Sequence, residues 1–120
     1  MSDKLTQTDL NQFTGSETWY RHGINRTVSY TDGAKFLADK GGAYWLLDII
    51  AIAQAHTKAV AAEEFQVWTL RVNPDDSAVV TCDDGDGKIV YTQKIPFTDF
   101  PLHEVKIYFA NHVIHLPSEY

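Results

Sequence analysis

Asp48 is the residue whose type and surroundings most strongly suggest chemistry. It is the one charged residue in the apolar stretch 43–55, and helical spacing places it on one face with Tyr44 and Trp45. Burying a carboxylate without a partner is costly. Asp48 must therefore meet a hydrogen-bond donor, reach water at an edge of the core, or have a raised pKa.

Two interpretations of Asp48 stay open at this stage. In the first, it is an acid or base in an aromatic pocket formed with Tyr44 and Trp45, next to a histidine such as His22. In the second, it is a structural carboxylate that binds an arginine or the backbone N–H groups of a nearby loop. We favour the second, since structural pairs perturb carboxylates as readily as active sites do.

Other motifs carry less chemistry. The run Asp83–Gly87 (DDGDG) resembles a calcium loop, but the twelfth position from Asp83 is Lys94, where an EF-hand needs glutamate. The same glycines and aspartates suit a tight hairpin turn. The histidines and the single cysteine, Cys82, lack the spacing of a zinc site, and acidic neighbours disfavour a reactive thiolate. We expect no metal and no cofactor.

Composition limits the class of protein. The chain has 120 residues and a formal charge of −6, and its ten lysines and arginines are scattered. Phosphate backbones require clustered cations, so nucleic-acid binding is disfavoured. A single cysteine fits a reducing compartment, and no apolar stretch reaches the ~20 residues of a membrane span. We expect one domain, residues 1–120, in the cytoplasm and without a membrane segment.

The hydrophobic pattern changes from helical to alternating near residue 65. Before that point we predict a first helix capped by Thr8 and stopped by Gly15, a second beginning with Asp32 as its cap, and a nearly all-apolar helix from Ala43 to about His56. Residues 18–30 indicate two short strands or an extended arm. From residue 65 onward five strands are predicted, over 65–72, 77–82, 88–95, 105–110 and 113–116. The fold class is therefore α+β, with N-terminal helices packed on a C-terminal antiparallel sheet of about four to five strands. The first of these strands is expected to be covered on both sides.

A surface for a partner protein is indicated by aromatic and acidic residues. Trp19 and Tyr20 lie on the predicted arm, and large amphipathic rings suit interfaces. Acidic residues occupy two predicted hairpin turns, with Asp75 and Asp76 in one and Asp83, Asp84 and Asp86 in the other. The strand between the turns separates the two groups by about 20 Å, at roughly 3.3 Å per residue. Homo-oligomerisation through the arm or an edge strand is a further option.

Four segments together resemble a bacterial and phage family catalogued as a domain of unknown function. They are LNQFTGSETWYRH at 10–22, YTDGAKFLADKGGAYWLLDIIA at 30–51, TCDDGDG at 81–87 and IPFTDFPLHEVKIYFANHVIHLPSEY at 95–120. The resemblance covers nearly the whole chain and assigns no catalytic residue. It implies a setting of bacteria and their mobile elements, where small acidic proteins are often inhibitors of host defence, including anti-CRISPR proteins.

These observations favour a small acidic, non-enzymatic protein that binds another protein, as a phage or mobile-element inhibitor of a host defence system does. The alternative is a small enzyme or ligand-binding domain with its site around Asp48.

Overall fold

The computed structural model describes residues 5–14 and 18–120. Its helices are α1 (Gln7–Asn11), α2 (Asp32–Gly41), α3 (Tyr44–His56) and α4 (Lys58–Ala61), and a short 3-10 helix covers Pro117–Glu119. Its strands are β1 (Trp19–Arg21), β2 (Ser29–Thr31), β3 (Phe65–Val72), β4 (Ala78–Asp83), β5 (Ile89–Ile95), β6 (Glu104–Ala110) and β7 (Val113–His115). The mixed α+β class is as predicted.

Two helix starts differ from the prediction. Thr6, not Thr8, caps α1, because its hydroxyl accepts the N–H of Asp9 while the Asp9 carboxylate accepts the N–H of Thr6. Thr31 caps α2, because its hydroxyl accepts the N–H of Ala34, and Asp32 is instead the first helical residue. The predicted end of the first helix at Gly15 lies outside the described residues.

The sheet is larger than predicted. Its described part has seven strands in the order β1-β2-β7-β6-β3-β4-β5, where four to five were expected. The short strands β1 and β2 form an antiparallel pair, and β2 joins the sheet by running parallel to β7. Each has three residues, too few for alternation to reveal, and the pairing that recruits them joins distant parts of the chain.

Helices are also not confined to the N-terminal part, as the prediction had placed them. The chain adds α4 just before the central strand and the 3-10 helix after the last strand. Pro117 begins that 3-10 helix, where its missing N–H costs no hydrogen bond. No helix in the described ranges is long and apolar enough to cross a membrane.

One face of the sheet packs against the helices. On the central strand β3, Gln66, Trp68 and Leu70 are buried, whereas Arg71 is exposed and Val67 half-buried. The sequence predicts an inner strand covered on both sides. β3 is an inner strand, but its two faces are covered unequally, since on the opposite face only Thr69 is buried. This opposite face, called the outer face below, is contacted by the 3-10 helix, where Glu119 binds Thr31.

Gln66 is the main polar residue of the core, with 1% of its surface exposed. Its Oε1 accepts hydrogen bonds from Trp68 Nε1 at 2.9 Å and Gln54 Nε2 at 2.8 Å. Its Nε2 faces the Val60 carbonyl at 2.8 Å, Gln54 Oε1 at 2.9 Å and the Glu63 carbonyl at 3.1 Å, so two hydrogens are shared by three acceptors. Gln66 thus ties α3 and α4 to the sheet.

The helix α3 is less enclosed than its apolar sequence predicts. Leu46, Leu47 and Ile50 are buried in the core, but Tyr44 and Ile52 are exposed. A helix that is apolar all the way round is normally buried all the way round. Its outward face is therefore an uncovered apolar surface.

Candidate functional site

Asp48 meets a histidine. His22, which precedes the turn into β2, is 5% exposed, and its Nε2 lies 2.8 Å from Asp48 Oδ1. The other ring nitrogen, Nδ1, accepts the backbone N–H groups of Ile24 at 3.1 Å and Asn25 at 3.0 Å. Because Nδ1 accepts two donors, the proton is on Nε2, which donates to the carboxylate.

This arrangement leaves no lone pair on the imidazole for proton transfer. A histidine base needs one unprotonated nitrogen aimed at substrate, and Nδ1 of His22 is already saturated by the loop backbone. Asn25 adds a second link, since its amide donates to the Ala51 carbonyl at 2.8 Å. The partner of Asp48 is therefore the histidine named for the acid–base alternative, and not the arginine or loop N–H groups expected for a structural carboxylate. The further contacts of His22 and Asn25 nevertheless fit a structural role, because they fasten the loop after β1 to α3.

Tyr44 and Trp45 do not complete a pocket with Asp48. The Tyr44 hydroxyl donates to Asp39, and that hydrogen bond raises the pKa of Tyr44 to about 12. The Asp39 carboxylate also binds Lys35 at 2.8 Å, and this hydrogen bond lowers the pKa of Asp39. Trp45 instead lines a groove beside β5, with Gln93 and Phe97.

We expect His22→Ala to lower the free energy of unfolding by about 2 kcal/mol, because it leaves two loop N–H groups without an acceptor. Asp48→Asn keeps an oxygen that accepts the Nε2 proton, so its effect should stay below about 0.5 kcal/mol. Urea unfolding followed by tryptophan fluorescence measures both. Equal losses in the two variants would mean that the pair depends on the charge of Asp48 and not only on an oxygen that accepts the Nε2–H hydrogen bond.

Cys82 is fully buried in β4, and burial raises the pKa of its thiol to about 12. The thiol is therefore protonated at neutral pH and shielded from solvent. No group of three or more histidine, cysteine, aspartate or glutamate side chains that could hold a metal ion occurs within residues 5–14 and 18–120.

The outer face carries a continuous line of side chains across six strands. Trp19 pairs with Thr31, and the parallel register of β2 and β7 brings Thr31 beside His115. His115 then pairs with Tyr108. Tyr108 pairs with Val67, which pairs with Asp83. From Trp19 to Asp83 this line crosses five strand spacings, or about 24 Å at roughly 4.8 Å each.

Further aromatic rings contact the middle of this line. Tyr120 stacks on His115 with 5.9 Å between ring centroids, and it contacts Tyr108 at 5.6 Å and Phe65 at 5.4 Å. Phe65 and Tyr108 meet edge to face at 5.0 Å. We call these outer-face aromatics the aromatic row: Trp19, Phe65, Tyr108, His115 and Tyr120.

A cleft opens at the β1 end of the aromatic row. It has a volume of about 430 Å³, and its walls include Trp19, Val113, His115 and Tyr120. Trp19 is 63% exposed and Tyr120 80% exposed, so both present large ring surfaces to solvent.

Glu119 lines this cleft and is held in place by three hydrogen bonds. Its Oε1 accepts the Thr31 hydroxyl at 2.6 Å and the Leu116 N–H at 2.9 Å, and its Oε2 accepts the Gly33 N–H at 3.2 Å. The carboxylate thereby joins the 3-10 helix to the start of α2, where a negative charge is favoured by the helix dipole. A side chain at Gly33 would collide with it, since a Cβ there would lie 2.5 Å from Oε1.

The acidic turn between β4 and β5 lies at the other end of the aromatic row. Asp83 belongs to the line itself, and a Cβ on Gly85 would lie only 3.1 Å from the Phe65 ring. Asp84 Oδ1 accepts the N–H groups of Asp86 and Lys88, and the first of these bonds lowers the pKa of Asp84. The turn is thus shaped by hydrogen bonds of its own carboxylates.

The remaining predicted partner residues lie elsewhere. Asp75 and Asp76 occupy the turn at the opposite end of β4, where Asp75 binds Ser77 and has a lowered pKa. Tyr20 alternates with Trp19 and stacks on Tyr30, with 5.6 Å between ring centroids. The structure therefore places Trp19 and the turn of Asp83, Asp84 and Asp86 at opposite ends of one face, about 24 Å apart at roughly 4.8 Å per strand. Tyr20, Asp75 and Asp76 lie away from this line.

Sequence reasoning missed four members of the aromatic row, namely Phe65, Tyr108, His115 and Tyr120. The signal that could have selected Phe65 and Tyr108 is their alternation with buried neighbours, which assigns them to the solvent side of a strand. No local signal gives the register that aligns them with Trp19.

The chain was compared with known proteins at the level of family, sequence and structure. A family model described as "Family of unknown function (DUF6876)" matches residues 4–120. No curated protein and no solved structure matches the chain significantly. Because the family model spans nearly the whole sequence, the chain belongs to the family of unknown function DUF6876.

Proposed function

We propose that this chain is a non-enzymatic protein-binding protein whose contact surface is the outer face of its sheet. The observation that carries the proposal is the aromatic row, in which Trp19 and Tyr120 are 63% and 80% exposed, Phe65 and Tyr108 are half-buried and His115 is buried. Large exposed rings beside a cleft are typical of interaction sites.

The chemistry of the aromatic row suits protein recognition. Tryptophan and tyrosine bury much area with few rotatable bonds, which is why they dominate binding energy at interfaces. The rings of Tyr108, His115 and Tyr120 contact one another and so are held in place before a partner arrives. Little conformational entropy remains to be lost on binding.

The two ends of the surface differ, and the difference specifies an orientation for the partner. The cleft between Trp19 and Tyr120 suits an apolar or aromatic side chain. The turn carrying Asp83, Asp84 and Asp86 suits lysine or arginine, which it would attract from solution. A partner segment of about seven extended residues, at roughly 3.3 Å each, spans the distance.

The alternative of an enzyme built around Asp48 has less support. Asp48 accepts a hydrogen bond from His22 Nε2, and Nδ1 of the same ring accepts hydrogen bonds from two backbone N–H groups. Both nitrogens are therefore committed to the loop, and Tyr44 is directed to Asp39.

The experiment immobilises the intact chain and two variants and compares the proteins that each captures from a lysate of bacterial cells. The intact chain is expected to retain a specific protein that the double variant Trp19→Ala, Tyr120→Ala loses at least tenfold. Tyr20→Ala is the matched control, since Tyr20 adjoins Trp19 in sequence but stacks on Tyr30 instead. Circular dichroism confirms that all three are folded. Identical captured sets from the intact chain and the double variant would refute the proposal.

We extend the proposal to the class of partner, a component of a bacterial defence system. The support is the resemblance to a bacterial and phage family together with the acidic charge of the chain. Co-expression should lower the interference activity of a susceptible CRISPR or restriction system against an incoming plasmid, and the double variant should restore it. A captured partner with a housekeeping role, and no effect on any defence system, would refute this extension alone.

A further inference from the structure

We propose that β5 forms a symmetric dimer with β5 of a second copy of this chain, extending the two sheets into one. This inference is independent of the outer-face proposal, because it concerns the edge of the sheet rather than its face. β5 is the last strand in the order of the described sheet, and its far side carries backbone N–H and C=O groups that pair with no strand there.

The edge has few of the devices by which soluble proteins protect such strands. β5 is seven residues long, contains no proline, and carries one charge, on Lys94. Edge strands are usually shortened, bulged, covered or loaded with charge to prevent pairing. β5 has one irregularity, near its start, where its register with β4 shifts between Cys82 and Asp83.

Exposed hydrophobic residues mark both ends of this edge. Ile89 at the start is 51% exposed, and Phe97, two residues beyond the end, is 67% exposed. Antiparallel pairing of β5 with its own copy places the start of one strand beside the end of the other. Ile89 of each copy then lies next to Ile95 and Phe97 of the second, and both exposed groups become covered.

The apolar surface beside β5 supplies further area for the same contact. A groove of about 550 Å³ runs between α3 and the strand, lined by Trp45, Ile49, Ile95 and Phe97 among others. Ile52 continues this surface along α3. The two-fold axis lies between the two β5 strands and is perpendicular to the joined sheet. It therefore places the α3 helices of both copies on the same side of that sheet, where these side chains meet.

The side chains along this edge fit those of a second copy. With the axis near Thr92, Lys94 of the second copy faces Val90, two strand spacings or about 10 Å from Asp83. The two Lys94 side chains are offset by four residues, roughly 13 Å along the strand, and do not face each other. The acidic turn of each copy therefore lies near a lysine of the other, and Thr92 pairs with its equivalent, a favourable cross-strand pair.

The test is sedimentation equilibrium of the full chain over a hundredfold concentration range. The intact chain is expected to have twice the monomer mass at the upper end, and Ile89→Lys should weaken dimerisation at least tenfold. Ile24→Lys is the matched control, since Ile24 is an isoleucine in the loop after β1 that is even more exposed, at 68%, and the variant should dimerise normally. A monomer at every concentration overturns the proposal. So does a mass that rises without limit, which indicates head-to-tail joining of β5 to β1.

A second measurement locates the axis. Thr92→Cys should form a disulfide between copies under mild oxidation, whereas Thr27→Cys, an exposed threonine in the loop after β1, should not. The native Cys82 is buried and does not interfere. Equal cross-linking of both variants, or none of Thr92→Cys in a sample that is dimeric by mass, would assign the dimer to another surface.

Discussion

Replacing Gln66 by leucine lowers the free energy of unfolding by about 4 kcal/mol, from roughly 1–3 kcal/mol for each buried polar group that loses its partner. The Trp68 N–H and the Val60 carbonyl both face Gln66 inside the core, and leucine offers neither an acceptor nor a donor. Leucine and glutamine are similar in size, so the lost stability reflects lost hydrogen bonds rather than a cavity. Urea unfolding monitored by tryptophan fluorescence gives the value.

Two further variants separate the causes. Gln66→Glu keeps the shape of the side chain but turns a carboxylate oxygen toward the carbonyls of Val60 and Glu63, and it should be at least as damaging at neutral pH. Gln12→Leu makes the same substitution as the first variant at an exposed position and should change stability by less than about 0.5 kcal/mol. A Gln66→Leu protein within about 1 kcal/mol of the parent would contradict this account.

Replacing Glu119 by alanine lowers the free energy of unfolding by about 3 kcal/mol, at roughly 1 kcal/mol for each hydrogen bond removed. The Thr31 hydroxyl and the Gly33 and Leu116 N–H groups all lose their acceptor. Glu119→Gln keeps one carbonyl oxygen but removes the charge beside the start of α2, so we expect about half that loss. Thermal unfolding followed by circular dichroism ranks the variants.

Glu104→Ala is the control for Glu119. Glu104 is an exposed glutamate paired with Arg71 at 2.6 Å, and exposed ion pairs contribute little because water screens them. Its loss should cost less than about 1 kcal/mol. If Glu104→Ala and Glu119→Ala prove equally destabilising, the three hydrogen bonds of Glu119 do not hold the 3-10 helix to α2 as described.

The second half of the fold could be predicted from the sequence because its signals are local. Alternation from Phe65 onward located β3 to β7 within one residue at each end, and turn residues indicated which neighbours are antiparallel. The apolar run before it located α3. These features depend on residues a few positions apart, where period and propensity act.

Pairings between distant residues could not be predicted in the same way. The sequence indicated strands near Trp19 and Tyr30 but not that β2 lies parallel to β7. The acid–base interpretation of Asp48 named a histidine such as His22, yet only the structure shows that both nitrogens of its ring are occupied. The register between paired strands decides which aromatic residues share a line across the outer face. That register is set only when the sheet assembles.

The parallel pairing of β2 with β7 also sets the order in which the molecule can assemble. Ser29 lies beside Val113, 84 positions later in the chain, whereas β3, β4 and β5 are joined by short turns. Closing so long a loop loses more chain entropy than forming a hairpin, so the arm of β1 and β2 docks after the central strands. Trp19 reaches its place in the wall of the cleft, across Thr31 from His115, only in that last step. A folding intermediate without the docked arm has no cleft to offer a partner.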